Sequence, residues 1–203
     1  MGKVRRSVAK DERRAQLVQA AQEVFAQRGY HAATVDDITR SAGVAKGTFY
    51  LYFEEKREIY YEVIRAFLAL IKDIGRSIGQ GQRGSDYFSR AEHAAHELMR
   101  IFVDNREMAR LAYRESMGLD SELEKLIRGF YREIAEVEAQ NIRVGIELGL
   151  FRAVDPLVVA YAHIGMVERV LLAMLEPESG LPAPEAIVKE LMTMAFEGLR
   201  KAG

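Results

Sequence analysis

The chain of 203 residues is long enough to bury a substantial core in one or two domains. It has no cysteine, which excludes disulfide bonds and thiolate metal sites and makes a reducing cytoplasm the expected compartment. The formal net charge is −1, but residues 1–56 hold ten Lys or Arg against seven Asp or Glu, and the remainder is acidic. A basic head on an acidic body indicates a nucleic-acid-binding domain joined to a second domain.

The first residues are polar and basic, with no apolar signal segment. Residues 1–9 are predicted to form a flexible arm, which either contacts DNA phosphates and the minor groove or remains a free terminus. A first helix is predicted from about Asp11 to Arg28, with Gly29 as its C-terminal signal. Its apolar residues fall on one face: Leu17, Ala21, Val24 and Phe25.

Residues 34–53 predict a short helix, a tight turn and a second short helix. Thr34 is a suitable N-cap, and Asp37, three residues later, can return a hydrogen bond to its backbone. Gly43 gives the turn its backbone freedom. The second helix is predicted to begin near Ala45, and its first residues are small and include Lys46. Such a helix can approach the edges of DNA bases without steric hindrance.

Aromatic residues in this stretch are expected to serve two purposes. Phe49 and Phe53, four residues apart, are predicted to anchor the second helix from behind. Tyr50, Tyr52 and Lys56 are predicted to remain free to contact phosphates. The alternative is a helical hairpin that packs only on itself, but the exposed polar and aromatic residues would then lack a packing role.

This stretch resembles the DNA-binding signature of the TetR family of bacterial transcriptional regulators, over about residues 11–60. The residues that carry the resemblance are Thr34, Ile38, Ala42, Gly43, Val44, Lys46, Gly47, Thr48, Tyr50, Tyr52, Phe53, Lys56 and Ile59. Two positions depart from it: the family often has alanine in place of Thr39 and serine in place of Ala45. The second departure removes a hydroxyl that could contact phosphate.

The resemblance implies a DNA-binding surface on these two helices. It comprises Thr34, Val44, Ala45, Lys46, Gly47, Thr48, Tyr50, Tyr52 and Lys56. Lys46 and Thr48 are expected to reach base edges, and Gly47 is expected to let the backbone approach the DNA. The remaining polar residues are expected to hold phosphates and set the register.

Every later element also reads as helix, so the predicted fold is all-α, with a DNA-binding domain at 1–53 and an effector-binding and dimerisation domain at 54–203. A helix from Glu54 to Ile78 would span about 37 Å at 1.5 Å per residue and link the two. A glycine-rich loop is predicted from Gly75 to Gly84. The later helices are predicted at Ser85 onward, Asn105–Met117, Ser121–Leu148, Pro156–Leu175 and Pro184–Lys201.

The helix from Pro156 is apolar nearly all round, which requires burial on two sides. Its mid-span His163, Glu168 and Arg169 argue against a membrane span. A second subunit could cover the outer side, so a homodimer through a four-helix bundle is predicted, as the TetR resemblance also implies. The expected interface residues are Leu157, Tyr161, Gly165, Leu172, Ile187, Leu191, Ala195 and Leu199. The alternative is a monomer in which these residues form core.

The sequence gives no sign of catalysis, because it lacks a cysteine nucleophile, a phosphate-binding glycine loop after a strand and a serine nucleophile elbow. His93 and His96 lie three apart and could bind zinc, but a third ligand is not evident, so a solvated helix face is favoured. The protein is therefore not predicted to be an enzyme, and no metal or cofactor is expected.

A cavity for a hydrophobic or aromatic effector is implied by the TetR resemblance. The candidate lining residues are Phe67, Phe102, Tyr113, Phe130, Tyr131, Asn141, Tyr161 and His163. Asn141 and His163 are polar residues in apolar surroundings and need a hydrogen-bond partner, for which an ordinary protein group is favoured over a ligand.

These observations together predict a homodimeric DNA-binding regulator of TetR type. The expected role is a repressor that a small effector releases from a near-palindromic double-stranded operator, with activation as the alternative within the same class. Two rivals from other classes are a helical ligand-binding or transport-accessory protein and a helical enzyme that uses the body cavity.

Overall fold

A computed structural model describes the backbone of residues 2–79, 86–115, 121–176 and 178–200, and side chains within these ranges except at 2–9 and 111–115. The helices it describes are α1 (Gly2–Ala32), α2 (Val35–Ser41), α3 (Lys46–Phe49), α4 (Lys56–Ile78), α5 (Tyr87–Asp104), α6 (Arg106–Glu115), α7 (Ser121–Glu147), α8 (Pro156–Ala173) and α9 (Pro184–Glu197). In these residues the only β-type pairing is an isolated bridge between Phe151 and Arg200. The prediction of an all-α fold is confirmed.

The N-terminal helix is longer than predicted. α1 begins at Gly2, so the expectation of a flexible arm at residues 1–9 is wrong for the backbone of residues 2–9. Residues 3–9 contain no proline or glycine, and their Lys, Arg and Ala favour helix. Gly29 does interrupt the helix as predicted, with φ 73° and ψ 163°, but one further helical turn follows before the chain enters α2.

The other helices begin and end close to their predicted bounds, as expected for termini that fray. Asp155 caps α8 as predicted: its Oδ1 accepts hydrogen bonds from the backbone nitrogens of Leu157 at 2.9 Å and Val158 at 3.0 Å. Gly75, the first residue of the predicted loop, instead lies inside α4. The rest of that loop from Gln80, with the predicted helix start at Ser85, lies outside the described residues.

The chain divides into two compact units. The head unit comprises Met1–Phe67 and Asn105–Leu123, and the body unit comprises Leu68–Asp104 and Glu124–Gly203. The head unit therefore extends past the predicted boundary at 53/54, whereas the body unit lies wholly within the predicted domain 54–203. That boundary separates functions, DNA binding from effector binding, and it stays a prediction.

The head unit is built around side chains from α1 to α4, from α6 and from the first turn of α7. Its fully buried apolar side chains are Leu17, Phe25, Ile38, Phe49, Phe53, Ile59, Val63, Ile64, Met108 and Leu123. α6 packs on α1, where the Gln22 amide donates to Asn105 Oδ1 at 3.4 Å. The helix-turn-helix segment thus rests on a core to which a later segment of the chain contributes.

The body unit centres on an aromatic cluster formed by Tyr87, Phe88, Phe151 and Phe196. Phe151 and Phe196 stack at 5.9 Å between ring centroids. Gly145 is essential to this packing, because a Cβ there would lie 2.3 Å from the Phe151 ring. The Tyr87 hydroxyl donates to the Asn141 carbonyl at 3.0 Å, and burial raises the pKa of Tyr87 well above its ordinary range.

The surface of α8 is largely uncovered in the single chain. Of its residues, Ala160 and Leu171 are buried, whereas Leu157, Val158 and Tyr161 are exposed. By length and composition alone, α8 is the one described helix that could cross a membrane. A core or interface helix of a soluble protein meets the same criterion, so composition does not separate these cases.

Candidate DNA-binding site

The start of α2 is fixed by a capping box between Thr34 and Asp37. Thr34 Oγ1 accepts from the Asp37 nitrogen at 3.1 Å, and the Thr34 nitrogen donates to Asp37 Oδ2 at 3.1 Å. The Thr34 hydroxyl also holds the pKa of the Asp37 carboxyl below its usual value, and the Arg28 and Arg40 guanidinium groups act in the same direction. The predicted cap is confirmed, and it occupies the hydroxyl that was expected to contact phosphate.

The turn between α2 and α3 is tight and well connected. Gly43 has a φ of 65°, a conformation that favours glycine, as predicted. The Val44 nitrogen donates to the Thr39 carbonyl at 3.0 Å. From α1, the Gln16 amide donates to the Ala42 carbonyl at 2.7 Å, a long-range contact that the sequence did not reveal. The turn is therefore held from within and from α1.

α3 is a single turn that is anchored on one side only. Phe49 and Phe53 are buried as predicted, and the Arg14 guanidinium lies 5.2 Å from the Phe53 ring centroid. Ala45 is the N-cap and makes no side-chain hydrogen bond there. The front of α3 consequently depends on its aromatic anchors and not on a cap.

The opposite side of α3 is open. Ala45, Lys46, Gly47 and Tyr50 are exposed, and Val44, Thr48 and Tyr52 are half-buried. A Cβ placed on Gly47 would meet no atom within 4 Å, so nothing in the chain itself requires glycine there. Leu51, which the sequence interpretation did not select, is 74% exposed beside them. These side chains are uncovered in the described part of the chain, so a macromolecule can contact them together.

Lys46 is not a free cation in the unbound head. Its Nζ lies 2.9 Å from Asp36 Oδ1 and 3.2 Å from Oδ2, and each side chain is 54% exposed. The hydrogen bond to Asp36 raises the pKa of Lys46 above its usual value. A group that approaches α3 must therefore compete with Asp36 for the ammonium.

The side chain of Lys56 is hydrogen-bonded within the head, so the expectation that it remains free is wrong for this conformation. Its Nζ donates to the Tyr30 carbonyl at 2.7 Å and to the Ala33 carbonyl at 2.8 Å, and it lies 4.4 Å from the Tyr30 ring centroid. Burial lowers the pKa of Lys56. In this conformation Lys56 joins the start of α4 to the last turn of α1 and to Ala33 after it, and its part in phosphate binding stays a prediction.

Comparison with known families identifies the fold. The family model described as bacterial regulatory proteins, tetR family, matches residues 17–63, and that of the Tetracyclin repressor-like, C-terminal domain matches residues 86–199. The chain belongs to the TetR family of bacterial regulatory proteins. Its members are transcriptional regulators with a helix-turn-helix at the N-terminus, and the predicted membership is confirmed.

Relatives of this TetR regulator align over nearly the whole chain. The uncharacterized HTH-type transcriptional regulator YdgC of Bacillus subtilis is 25% identical over 195 residues, 95% of each chain. The HTH-type transcriptional repressor KstR2 of Mycobacterium tuberculosis is 27% identical over 199 residues, 95% of this chain and 96% of the relative. Among solved structures, SmeT, the repressor of the Stenotrophomonas maltophilia multidrug efflux pump SmeDEF, has a TM-score of 0.72 at 20% identity, covering 94% of this chain and 91% of that one. A complex of SmeT with triclosan has a TM-score of 0.76 at 22% identity, covering 95% of this chain and 93% of that one.

The residues proposed to line an effector cavity are divided between the two units, and their part in effector binding stays a prediction. Phe67 is buried in the head unit, whereas Phe102, Phe130, Tyr131, Asn141, Tyr161 and His163 belong to the body unit. Tyr161 is half exposed on α8. The side chain of Tyr113 lies outside the described residues. The structure therefore does not assemble this set into a single pocket of either unit.

The polar members of that set have protein partners. Asn141 is buried and donates to the Gly75 carbonyl at 3.0 Å, and His163 Nδ1 lies 3.0 Å from Glu138 Oε1. These are the ordinary protein partners that were favoured, which is confirmed. The Tyr131 hydroxyl donates to the carboxylate of Glu168. These bonds tie α7 to α4 and α8.

A groove of the body unit lies between α5 and α9, with a volume of about 480 Å³. Its walls include Phe88, Met192 and Phe196, with His96 and Lys189 at its polar side. None of the candidate effector residues belongs to its described lining. His93 and His96 are both exposed on α5, in keeping with a solvated face. Among the described residues, no group of three or more His, Cys, Asp or Glu could hold a metal ion.

The predicted interface residues of this TetR regulator separate into three sets by burial. Leu157, Tyr161 and Gly165 are exposed on α8; Leu172, Leu191 and Ala195 are half-buried. Ile187 and Leu199 are buried in their own chain, which leaves little of their side chains for a partner, and their assignment to a dimer interface stays a prediction. α9 packs against α5, and Leu199, two residues after α9, packs against the aromatic cluster of the body.

Proposed function

We propose that this TetR regulator is a homodimeric repressor that binds a near-palindromic operator and is released from it by a small hydrophobic or aromatic effector. The observation that carries the proposal is the open side of α3. A one-turn helix held from behind by Phe49 and Phe53 presents Lys46, Gly47 and Thr48 outward. That is the shape a recognition helix needs in a major groove.

The DNA contacts are divided between base reading and positioning. Lys46 and Thr48 lie at the front of α3 and reach base edges, and Gly47 leaves room for close approach. Tyr50, 52% exposed, and the half-buried Tyr52 contact phosphates and set the register. Thr34 and Lys56 support the site from inside, because their polar atoms are engaged within the head.

Dimerisation is supported by the uncovered apolar side of α8. Leu157, Val158 and Tyr161 are exposed there, and Met194 on α9 is 63% exposed. A neighbouring subunit that covers these side chains would remove apolar area from water at about 25 cal/mol per Å². Two subunits related by a two-fold axis would then place two recognition helices on two half-sites.

Repression and effector release are supported by relatives. KstR2 and SmeT are both repressors, and SmeT forms a complex with triclosan, a small aromatic molecule. In this protein, an effector that binds one spacing of the two heads more tightly would shift the population away from the spacing that fits both half-sites.

The test is binding of the purified protein to duplex DNA from upstream of its own coding region, across a salt series, with a scrambled duplex as competitor. We expect a competitor-resistant complex of two subunits or more, which Lys46→Ala weakens mainly on the specific duplex. Weak binding to both duplexes with only a steep salt dependence would contradict sequence-specific DNA binding. Triclosan is the first effector probe, and release of the specific complex is the expected readout.

A further inference from the structure

Asp36 and Lys46 form an exposed ion pair at the front of the candidate site. Asp36 lies in the first turn of α2, where the cap is already supplied by Thr34 and Asp37. Arg28 and Arg40 pair with Asp37 and not with Asp36. An ion pair in which both side chains are 54% exposed contributes little to folding.

The position of Asp36 also weakens the electrostatic attraction between the head and DNA phosphates. Lys46 stands at the front of α3, where the DNA must approach, and the Asp36 carboxylate lies beside its ammonium. A carboxylate at such a surface repels phosphates and cancels the charge of the lysine. Loss of Asp36 would therefore strengthen non-specific binding, whereas a base that donates a hydrogen bond to the carboxylate would offset this repulsion at a specific site.

The spacing of the pair matches one feature of the major groove. In a G·C pair, guanine O6 accepts the hydrogen bond that cytosine N4 donates, so this acceptor and donor lie about 2.9 Å apart. Lys46 Nζ and Asp36 Oδ1 are a donor and an acceptor 2.9 Å apart. When the ammonium meets guanine O6, a carboxylate held at this distance is within reach of cytosine N4, which has a second hydrogen exposed in the major groove.

An A·T pair suits the two side chains less well. It also places a donor, adenine N6, beside an acceptor, thymine O4, but the thymine methyl group stands next to O4, and the other acceptor, adenine N7, lies on the far side of N6. Guanine offers two acceptors, O6 and N7, to the same ammonium. The second acceptor and the missing methyl group favour G·C.

We propose that Asp36 and Lys46 read one G·C base pair together in each half-site, with Lys46 donating to guanine and Asp36 accepting from cytosine N4. Asp36 is thereby a specificity-determining residue, although it lies outside the recognition helix. This inference rests on the proposed function, because it requires sequence-specific binding to duplex DNA.

The test is selection from a random-sequence duplex library by the wild-type protein, Asp36→Asn and Asp36→Ala. Glu55→Gln is the matched control, because it removes one exposed, ion-paired acid of the head and changes the net charge equally. We expect the wild type to enrich a two-fold motif with a G·C pair at one position of each half. Both Asp36 variants should lose that preference by about 5- to 150-fold, while Glu55→Gln keeps it.

Loss at one base position, with the rest of the motif retained, cannot arise from unfolding of the head. The inference is overturned if the Asp36 variants select the same bases as the wild type and merely bind all sequences more tightly. It is also overturned if the position that they relax is an A·T pair. A wild-type protein that enriches no motif would instead refute the proposed function, and this inference with it.

Discussion

The head and body units expose different kinds of side chain at their candidate binding surfaces. In the head, the candidate site is a row of polar and small residues, and Lys46 already has the partner Asp36 in the unbound state. In the body, α8 leaves apolar residues such as Val158 exposed with no described partner covering them. The head thus presents a surface suited to a charged partner that competes with internal ion pairs, and the body presents one suited to a partner that removes apolar surface from water.

The largest effect is expected from a charge placed on the exposed apolar side of α8. Val158 is 67% exposed, so Val158→Glu should fold normally as a single chain but place a charge in the proposed dimer interface. We expect monomers in analytical ultracentrifugation and a loss of operator affinity of about 100-fold or more, because two linked heads bind together. Gln140→Glu, an exposed position of α7, is the control. A dimer that survives Val158→Glu unchanged would remove α8 from the interface.

Two glycines of α7 give a matched pair within the body. Gly145→Ala should destabilise the protein by about 1–3 kcal/mol, because the new Cβ would overlap the Phe151 ring. Gly129→Ala has no atom within 4 Å of the new Cβ and should stabilise the helix by up to about 1 kcal/mol. Urea unfolding of both variants measures the difference. Equal effects at the two positions would show that the Phe151 contact does not limit the packing.

A substitution of Lys56 can distinguish between two roles of this side chain, a hydrogen bond within the head and a contact with DNA phosphate. Lys56→Met leaves the carbonyls of Tyr30 and Ala33 without their donor, so a loss of about 1–3 kcal/mol is expected in urea unfolding. The dependence of DNA affinity on salt should stay as it is. Arg57→Met, an exposed neighbour, should change stability by less than about 0.5 kcal/mol. A flatter salt dependence with unchanged stability would instead restore Lys56 as a phosphate contact.

The lowered pKa of Asp37 predicts that the stability of the head against unfolding depends on pH. Its pKa is lowered in the folded protein from an ordinary value of 3.8, by Thr34 first and then by Arg28 and Arg40. The stabilisation is therefore complete above the unfolded pKa and is lost as the pH falls through the lower folded pKa. Urea midpoints of Asp37→Asn and wild type should differ at pH 7 and converge at strongly acidic pH. A constant difference at all pH values would mean that the carboxylate charge is not involved.

The smallest expected effect concerns the unfilled cap of α3. Ala45 has an extended backbone conformation and makes no capping hydrogen bond, so Ala45→Ser should stabilise the head by about 0.5–1 kcal/mol. Urea unfolding measures this change, with Ala45→Val as a control of similar exposure that cannot cap. If both variants behave alike, the stability of α3 depends only on Phe49 and Phe53.

The sequence predicted the head better than the body because the motif of the head is local. Thr34 and Asp37 are three residues apart, and Phe49 and Phe53 are four apart, so helical geometry alone relates them. The role of Lys56 was missed because its partners, Tyr30 and Ala33, lie 26 and 23 residues earlier in the chain. The Asp36–Lys46 pair joins two helices across a turn and likewise has no periodic signal.

In the body, periodicity finds apolar residues but not the element that covers them. Ile187 and Leu157 both occur on apolar helices, yet Ile187 is buried within the chain and Leu157 is exposed. Which side of an apolar helix faces its own core depends on tertiary packing, which the pattern does not contain. The partners of Asn141 and His163 were expected as a class, whereas their identities required the structure.

The head unit is not one uninterrupted stretch of sequence, and this bears on how regulators of this kind can be recombined. Met108 and Leu123, contributed by the segment Asn105–Leu123, are almost fully buried in the head unit, whose other part is the N-terminal stretch of the chain. A chimaera that joins residues 1–53 to the body of another regulator would leave this part of the core without its native neighbours. Transplanting the DNA specificity with its fold intact therefore means moving two pieces of chain, or matching the donor's second piece residue by residue.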